Sequence, residues 1–235
     1  MLNLRQIQYT VQNRMNWKDF WNERGRQSDA HAQVGRLSGN REMIRQIAEH
    51  VRDTTGMKLT DHVLDVCCGN GVLTHELSGY CHSITGIDFS DVLIQQAKYN
   101  YPKLQFHCMD ILQLNKEELV PPYDVINLYF SFQYFETMQQ GEKVLRNLIP
   151  LLKPGGVLLL GDVPDQDHLF RYYNSFRRIL QWIKQSLTHS NNMGKFWSEE
   201  ELNLICSKCR VKGEKLKQPV YLPYAHYRMD YRITV

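Results

Sequence analysis

The run Val63-Leu64-Asp65-Val66-Cys67-Cys68-Gly69-Asn70-Gly71-Val72-Leu73 takes an apolar strand through a tight glycine turn into a helix. Gly69 and Gly71 lack side chains, so a ligand can approach the backbone there. The helix that follows turns its free amides outward. Asp65 precedes the turn, where a carboxylate repels phosphate and attracts a cation. Gly86-Ile87-Asp88-Phe89-Ser90 then ends a second apolar run with an acid. A carboxylate so placed can accept two hydrogen bonds from a ribose diol. A dinucleotide site would carry Gly-x-Gly-x-x-Gly at the turn, and that pattern is missing. A nucleoside joined to a cationic amino acid suits these groups better.

A second group of candidates lies downstream. Tyr129, Phe130, Phe132, Tyr134 and Phe135 crowd the end of a fourth apolar run. They could wall an apolar pocket that excludes water, or pack under the next helix. Gly161-Asp162-Val163-Pro164-Asp165-Gln166-Asp167-His168 follows the fifth run with three carboxylates and a histidine. Asp162, Asp165 and His168 are therefore candidate bases or anchors for a second substrate. Loop solvation and helix capping are the plainer reading. Six cysteines are scattered, with no second paired motif to complete a zinc site around Cys206 and Cys209, so no metal is expected.

The elements that must position these groups are legible. The 235 residues favour one compact domain. A hydrophobic share of 43% against 23% charged residues is globular composition. The net charge of +3 is too small to argue for nucleic acid by itself. No stretch has the length and apolarity of a membrane span and no signal-peptide pattern opens the chain; a cytoplasmic protein is expected. Asn16–Arg24 and Asn40–Arg52 read as helices with a loop, Gln27–Gly39, between them. Apolar runs at His62–Val66, Ser83–Ile87, Leu104–His107, Tyr123–Leu128 and Val157–Leu160 alternate with helical patterns at Val72–Leu77, Asp91–Tyr99, Asn115–Leu119 and Thr137–Leu152. That alternation predicts parallel pairing with helices on both faces of one sheet. Leu169, Tyr172, Tyr173, Phe176, Ile179, Leu180, Ile183 and Leu187 trace one face of a long helix. Ser198 and Glu201 form a capping-box pattern opening another helix. Val211–Val220 and Ala225–Val235 read as two closing strands, giving the sheet an antiparallel end.

Together these residues resemble the class I S-adenosylmethionine-dependent methyltransferases. Asp65-Val66-Cys67-Cys68-Gly69-Asn70-Gly71 is similar to that superfamily's first motif, with Cys67 replacing its first glycine. Asp88, Met109-Asp110-Ile111, Tyr123-Asp124-Val125-Ile126-Asn127 and Leu152-Lys153-Pro154-Gly155-Gly156 keep the superfamily's order and spacing across 61–162. The resemblance implies a doubly wound, Rossmann-like α/β fold. Its seven-stranded, mostly parallel sheet would have an antiparallel C-terminal strand, N-terminal helices and a helical cap insertion. It implies S-adenosylmethionine as cofactor, with Gly69 and Gly71 flanking its methionine moiety and Asp65, Cys67 and Asn127 among the cofactor-binding residues. Asp88 is implied at the ribose, Asp110 at the adenine amino group, and Phe89 and Ile111 against the adenine ring. Arg36 lies in the segment that covers the cofactor in similar enzymes, within reach of its carboxylate.

The expected layout is a single domain: a helical cover over 1–60, a cofactor core over 61–162, a cap over 163–195 and a C-terminal helix with strands over 196–235. Tyr129, Phe132, Tyr134, Tyr172 and Tyr173 are the expected acceptor pocket. The expected reaction is in-line methyl transfer to an oxygen or nitrogen of a small-molecule or sugar-containing acceptor. RNA modification through Arg171, Arg177, Arg178, Lys184 and the lysine-rich tail is the alternative; a protein that binds the cofactor without chemistry is another. Membrane partners are not expected, nucleic acid is disfavoured, and the oligomeric state stays open.

Overall fold

A computed structural model describes residues 16–34, 41–188 and 193–235. Helices α1 (Trp17–Gly25), α2 (Ala30–Gln33) and α3 (Arg41–Thr55) precede β1 (His62–Val66). There follow α4 (Val72–Leu77), β2 (Ser83–Asp88), α5 (Asp91–Asn100), β3 (Gln105–Cys108), β4 (Tyr123–Tyr129), α6 (Met138–Leu148) and β5 (Leu152–Pro164). The chain ends with α7 (Leu169–Tyr172), α8 (Phe176–Thr188), α9 (Glu199–Lys208), β6 (Lys212–Lys217) and β7 (Arg228–Thr234).

The seven strands form one sheet in the order β3-β2-β1-β4-β5-β7-β6. The first five pair in parallel, and β7 runs antiparallel to both β5 and β6. The period-two alternation of the strands divides the core. Val63, Val125 and Leu159 meet Ile44, Ile47 and Val51 of α3 on one face. Leu64, Ile126 and Leu158 meet Val144 and Leu145 of α6 and Ile205 of α9 on the other. Strand order reverses between β1 and β4, and the crevice outside the carboxyl ends of strands at such a point is where ligands bind.

Local chemistry sets the helix starts. Thr137 and Gln140 exchange hydrogen bonds in a capping box at α6, and Ser198 and Glu201 do the same at α9. Three sequence readings change. The Gln27–Gly39 loop contains α2, capped by Asp29. Thr137–Leu152 ends as a helix at Leu148, where a 3-10 turn with Pro150 takes over. The single long helix from Leu169 is two, separated at Tyr173-Asn174-Ser175. The break changes the phase of the apolar stripe, leaving Phe176, Leu180, Ile183 and Leu187 exposed rather than docked on the sheet. Among the described residues, no helix is long and apolar enough to cross a membrane.

Candidate functional site

A cavity of ≈ 490 Å³ opens outside the carboxyl ends of the central strands, within the size range of small-ligand sites. Its floor is the turn after β1. Cys67 has a left-handed backbone (φ 57), as does Gly69 (φ 58), which bends the chain sharply enough to point the Gly69 N–H at Asp88. That amide donates to Asp88 Oδ2 at 2.9 Å, and the Ser90 amide donates to Oδ1 at 2.9 Å. A Cβ at Gly69 would meet Val34 Cγ1 at 2.8 Å, so glycine keeps the α2 segment close over the turn.

Asp88 is buried, and burial pushes its carboxyl up from 3.8 to about 6 despite the amides from Ser90, Gly69 and Phe89 that favour the charge. A carboxylate has about four acceptor sites, so these amides leave capacity for a ligand. Asp65 is held rigidly: Asn127 Nδ2 donates to one oxygen at 2.7 Å and Thr74 Oγ1 to the other at 2.6 Å. Asp110 caps a 3-10 turn through the Leu112 amide at 2.8 Å. Asp65, Asp88 and Asp110 all reach the cavity wall, as do Cys67, Gly69, Phe89 and Ile111. Burial, and then the charges of Asp88 and Asp65, push the Cys67 thiol well up. It stays protonated and is no nucleophile.

The remaining expected positions divide. Tyr129, Tyr134 and Tyr172 line the cavity. Phe132 does not: it is fully buried against Phe135 and Trp197 in the core. Tyr173 packs behind Tyr172 with Phe196. Gly71 serves packing, since a Cβ there would meet the Phe106 ring at 2.7 Å. Asn127 is buried behind Asp65 and orients it rather than reaching the cavity. Arg36 lies outside the described residues.

The three candidate bases are corrected by their partners. A bulge in β5 gives Asp162 a left-handed backbone (φ 55) and buries its carboxylate 2.9 Å from Arg228 Nη1. Asp165 is buried, caps the next turn and pairs with His168 Nδ1 at 2.8 Å and Lys215 Nζ at 2.9 Å. None of Asp162, Asp165 and His168 lies on the cavity wall.

The structure adds Arg24, Met193, Tyr224 and Arg228, which the sequence did not single out as pocket residues, to walls that other residues share. Trp17, Phe20, Trp21 and Arg24 of α1 form one wall, and Tyr134 sits against Trp17 with ring centroids 4.5 Å apart. Tyr224, Tyr227 and Arg228 form the opposite wall with Met193.

A methyltransferase-domain family model matches residues 63–156. Residues 63–156 are thus similar to methyltransferase domains, and the chain shares the fold of solved S-adenosylmethionine-dependent methyltransferases. Among the relatives that match this chain is the malonyl-[acyl-carrier protein] O-methyltransferase of Bacillus cereus, 32% identical over 149 residues. That match covers 61% of this chain and 52% of the relative. The dTDP-4-amino-2,3,4,6-tetradeoxy-D-glucose N,N-dimethyltransferase of Saccharopolyspora spinosa is 31% identical over 99 residues, or 42% of this chain and 39% of the relative. The chain thus spans about half the length of the curated relatives it matches. The N-methyltransferase NodS of Bradyrhizobium japonicum, crystallised with S-adenosyl-L-homocysteine, shares the fold with a TM-score of 0.63 at 18% identity. That likeness covers 94% of this chain and 98% of NodS.

Proposed function

We propose that this protein transfers a methyl group from S-adenosylmethionine to an oxygen or nitrogen of a small-molecule acceptor. The observation that carries the proposal is Asp88: a buried carboxylate at the end of β2, fixed by two amides, on the wall of a cavity at the switch point of the sheet. Its remaining acceptor capacity suits a ribose diol. The backbone at Gly69 gives close approach, Asp110 is an acceptor for an adenine amino group, and Phe89 and Ile111 supply apolar contact. Asp65, held by Asn127 and Thr74, faces the cationic part of the cofactor. When bound, S-adenosylmethionine supplies a methyl group already activated on a sulfonium. The protein's own task is then alignment and exclusion of water, which can contribute about 7–11 kcal/mol in ideal geometry. The aromatic wall of α1 and Tyr134 serves that exclusion.

The RNA reading has less support. Lys208 is paired with Glu142, and Lys215 with Asp165 and Asp167, so the basic tail is partly neutralised. The silent-binder reading fits poorly with a cavity that continues past the cofactor end to a tyrosine-rich wall. Incubation with methyl-labelled S-adenosylmethionine and fractionated cell extract tests the proposal. Label recovered in a small molecule supports it; label recovered in RNA or protein, or none at all, refutes it.

A further inference from the structure

The wall opposite the three carboxylates contains one cation, Arg228, at the start of β7. Asp88 is on β2, four strand positions away in the sheet order, about 19 Å at the usual strand spacing. Arg228 is 8% exposed, and its guanidinium is held by Asp162 and hydrogen-bonded to Tyr227. Nη1 lies 2.9 Å from Asp162 Oδ2 and also donates to the Asp162 carbonyl. Nε is buried with no hydrogen-bond partner. Nη2 lies 3.4 Å from the Met193 sulfur, a weak acceptor. The rings of Tyr224 and Tyr227 lie 5.6 and 5.2 Å from Cζ and fix the plane of the group. Burial opposes its charge, but Asp162 and Tyr227 outweigh burial and raise its pKa, so the guanidinium is permanently charged.

Nε and Nη2 share one edge of a guanidinium, and that edge grips a carboxylate through two parallel N–H···O bonds. We propose that Arg228 anchors a carboxylate carried by the methyl acceptor, seated between Tyr172, Tyr224 and Tyr227. The inference rests on the reading of this cavity as a methyl-transfer site and narrows its acceptor to a carboxylic acid with a flat or apolar body. A phosphate dianion is a poorer match, because this single guanidinium is already shared with Asp162. Among the described residues, the cavity wall carries no lysine, histidine or glutamate. Asp162 acquires a role in turn: it is a positioning residue that holds Nη1 and leaves Nε without a hydrogen-bond partner.

The test compares benzoate and 3-phenylpropanoate with benzamide and 3-phenylpropanamide by ligand-observed NMR titration of the full chain with saturating S-adenosylhomocysteine. The acids are expected to bind about 10- to 100-fold more tightly than the amides, as charge-assisted hydrogen bonds imply. Arg228→Lys, which keeps the charge beside Asp162 but loses the planar edge, should erase that preference while S-adenosylhomocysteine affinity holds. The double variant Asp162→Asn/Arg228→Gln, which buries no unpaired charge, should do the same if the lysine variant fails to fold. Equal binding of acids and amides to the wild type overturns the inference. So does a loss of S-adenosylhomocysteine affinity in the folded variants, which would assign the guanidinium to the cofactor's own carboxylate. Failure of the wild type to bind S-adenosylhomocysteine at all overturns the methyl-transfer reading, and this inference with it.

Discussion

Lowering the pH through 6 should release the cofactor product, and Asp88 should be the reason. In the ligand-free protein its carboxyl titrates at about 6, raised from 3.8 by burial. A ribose diol donates hydrogen bonds to the charged form, so binding must expel a proton wherever the free protein holds one. Affinity for S-adenosylhomocysteine should therefore be flat above about pH 7, halved near pH 6 and about tenfold lower at pH 5. The same rise has the opposite consequence for stability. A folded pKa above the unfolded one gives stability that is present at low pH and lost as pH rises through about 6, an amount of about 3 kcal/mol. The ligand-free protein should thus gain stability from this group as the pH falls from 7 towards 4, while its ligand weakens. Isothermal titration between pH 5 and 8, paired with urea unfolding of the free protein, reads both trends. Asp88→Asn is the control: it should bind about 1–3 kcal/mol more weakly at pH 7.5 and show no step near pH 6. A wild type whose affinity is constant from pH 7 to 5, or a variant that keeps the step, refutes the assignment.

Other positions separate binding from architecture. Gly71→Ala should lower stability by about 1–3 kcal/mol, because its left-handed backbone resists a side chain and an added Cβ would stand 2.7 Å from the Phe106 ring; urea unfolding measures this. Gly69→Ala should instead weaken S-adenosylhomocysteine binding about tenfold or more by closing the turn against Val34 and the cavity, read by the same titration. Asn127→Ala should cost about 1–2 kcal/mol of that binding although it does not touch the cavity, because one oxygen of Asp65 loses its donor. Asp165→Asn should reduce stability and leave S-adenosylhomocysteine affinity unchanged, since its partners are His168, Lys215 and the Asp167 amide.

The gathering of Asp65, Gly69 and Asp88 around one cavity was legible in the sequence because it is set locally. Asp65, Gly69 and Asp88 sit at the ends of apolar runs, and strand ends at a switch point face one crevice whatever the rest of the chain does. The wall formed by Met193, Tyr224 and Arg228 was not legible, because its contacts span long separations. Arg228 meets Asp162 from 66 residues away, and nothing about Arg228 in a polar tail strand announces it. Asp162, Asp165 and His168 looked like chemistry by composition, yet a one-residue bulge in β5 decides where Asp162 points, and bulges leave little trace in a hydrophobic pattern. Tyr172 and Tyr173 illustrate a finer limit. Only one of two adjacent residues faces the cavity, and the choice depends on where α7 stops.

Backbone strain ties the two sides of the cavity together. Among the described residues, four that are not glycine have positive φ: Cys67, Phe130, Asp162 and Arg210. Arg210 follows α9 and is an ordinary helix ending. The other three fall at the carboxyl ends of β1, β4 and β5, three neighbouring strands. Such conformations cost about 1–3 kcal/mol each and persist only where surrounding structure over-determines them. Here each has a visible consequence. Cys67 delivers the Gly69 amide to Asp88, Phe130 puts its ring on the cavity wall, and Asp162 turns its carboxylate to Arg228. A cavity left by imperfect packing would carry no such pattern. Strain on three adjacent strand ends, each aiming a group at the same space or steadying one that faces it, is what a preorganised site requires.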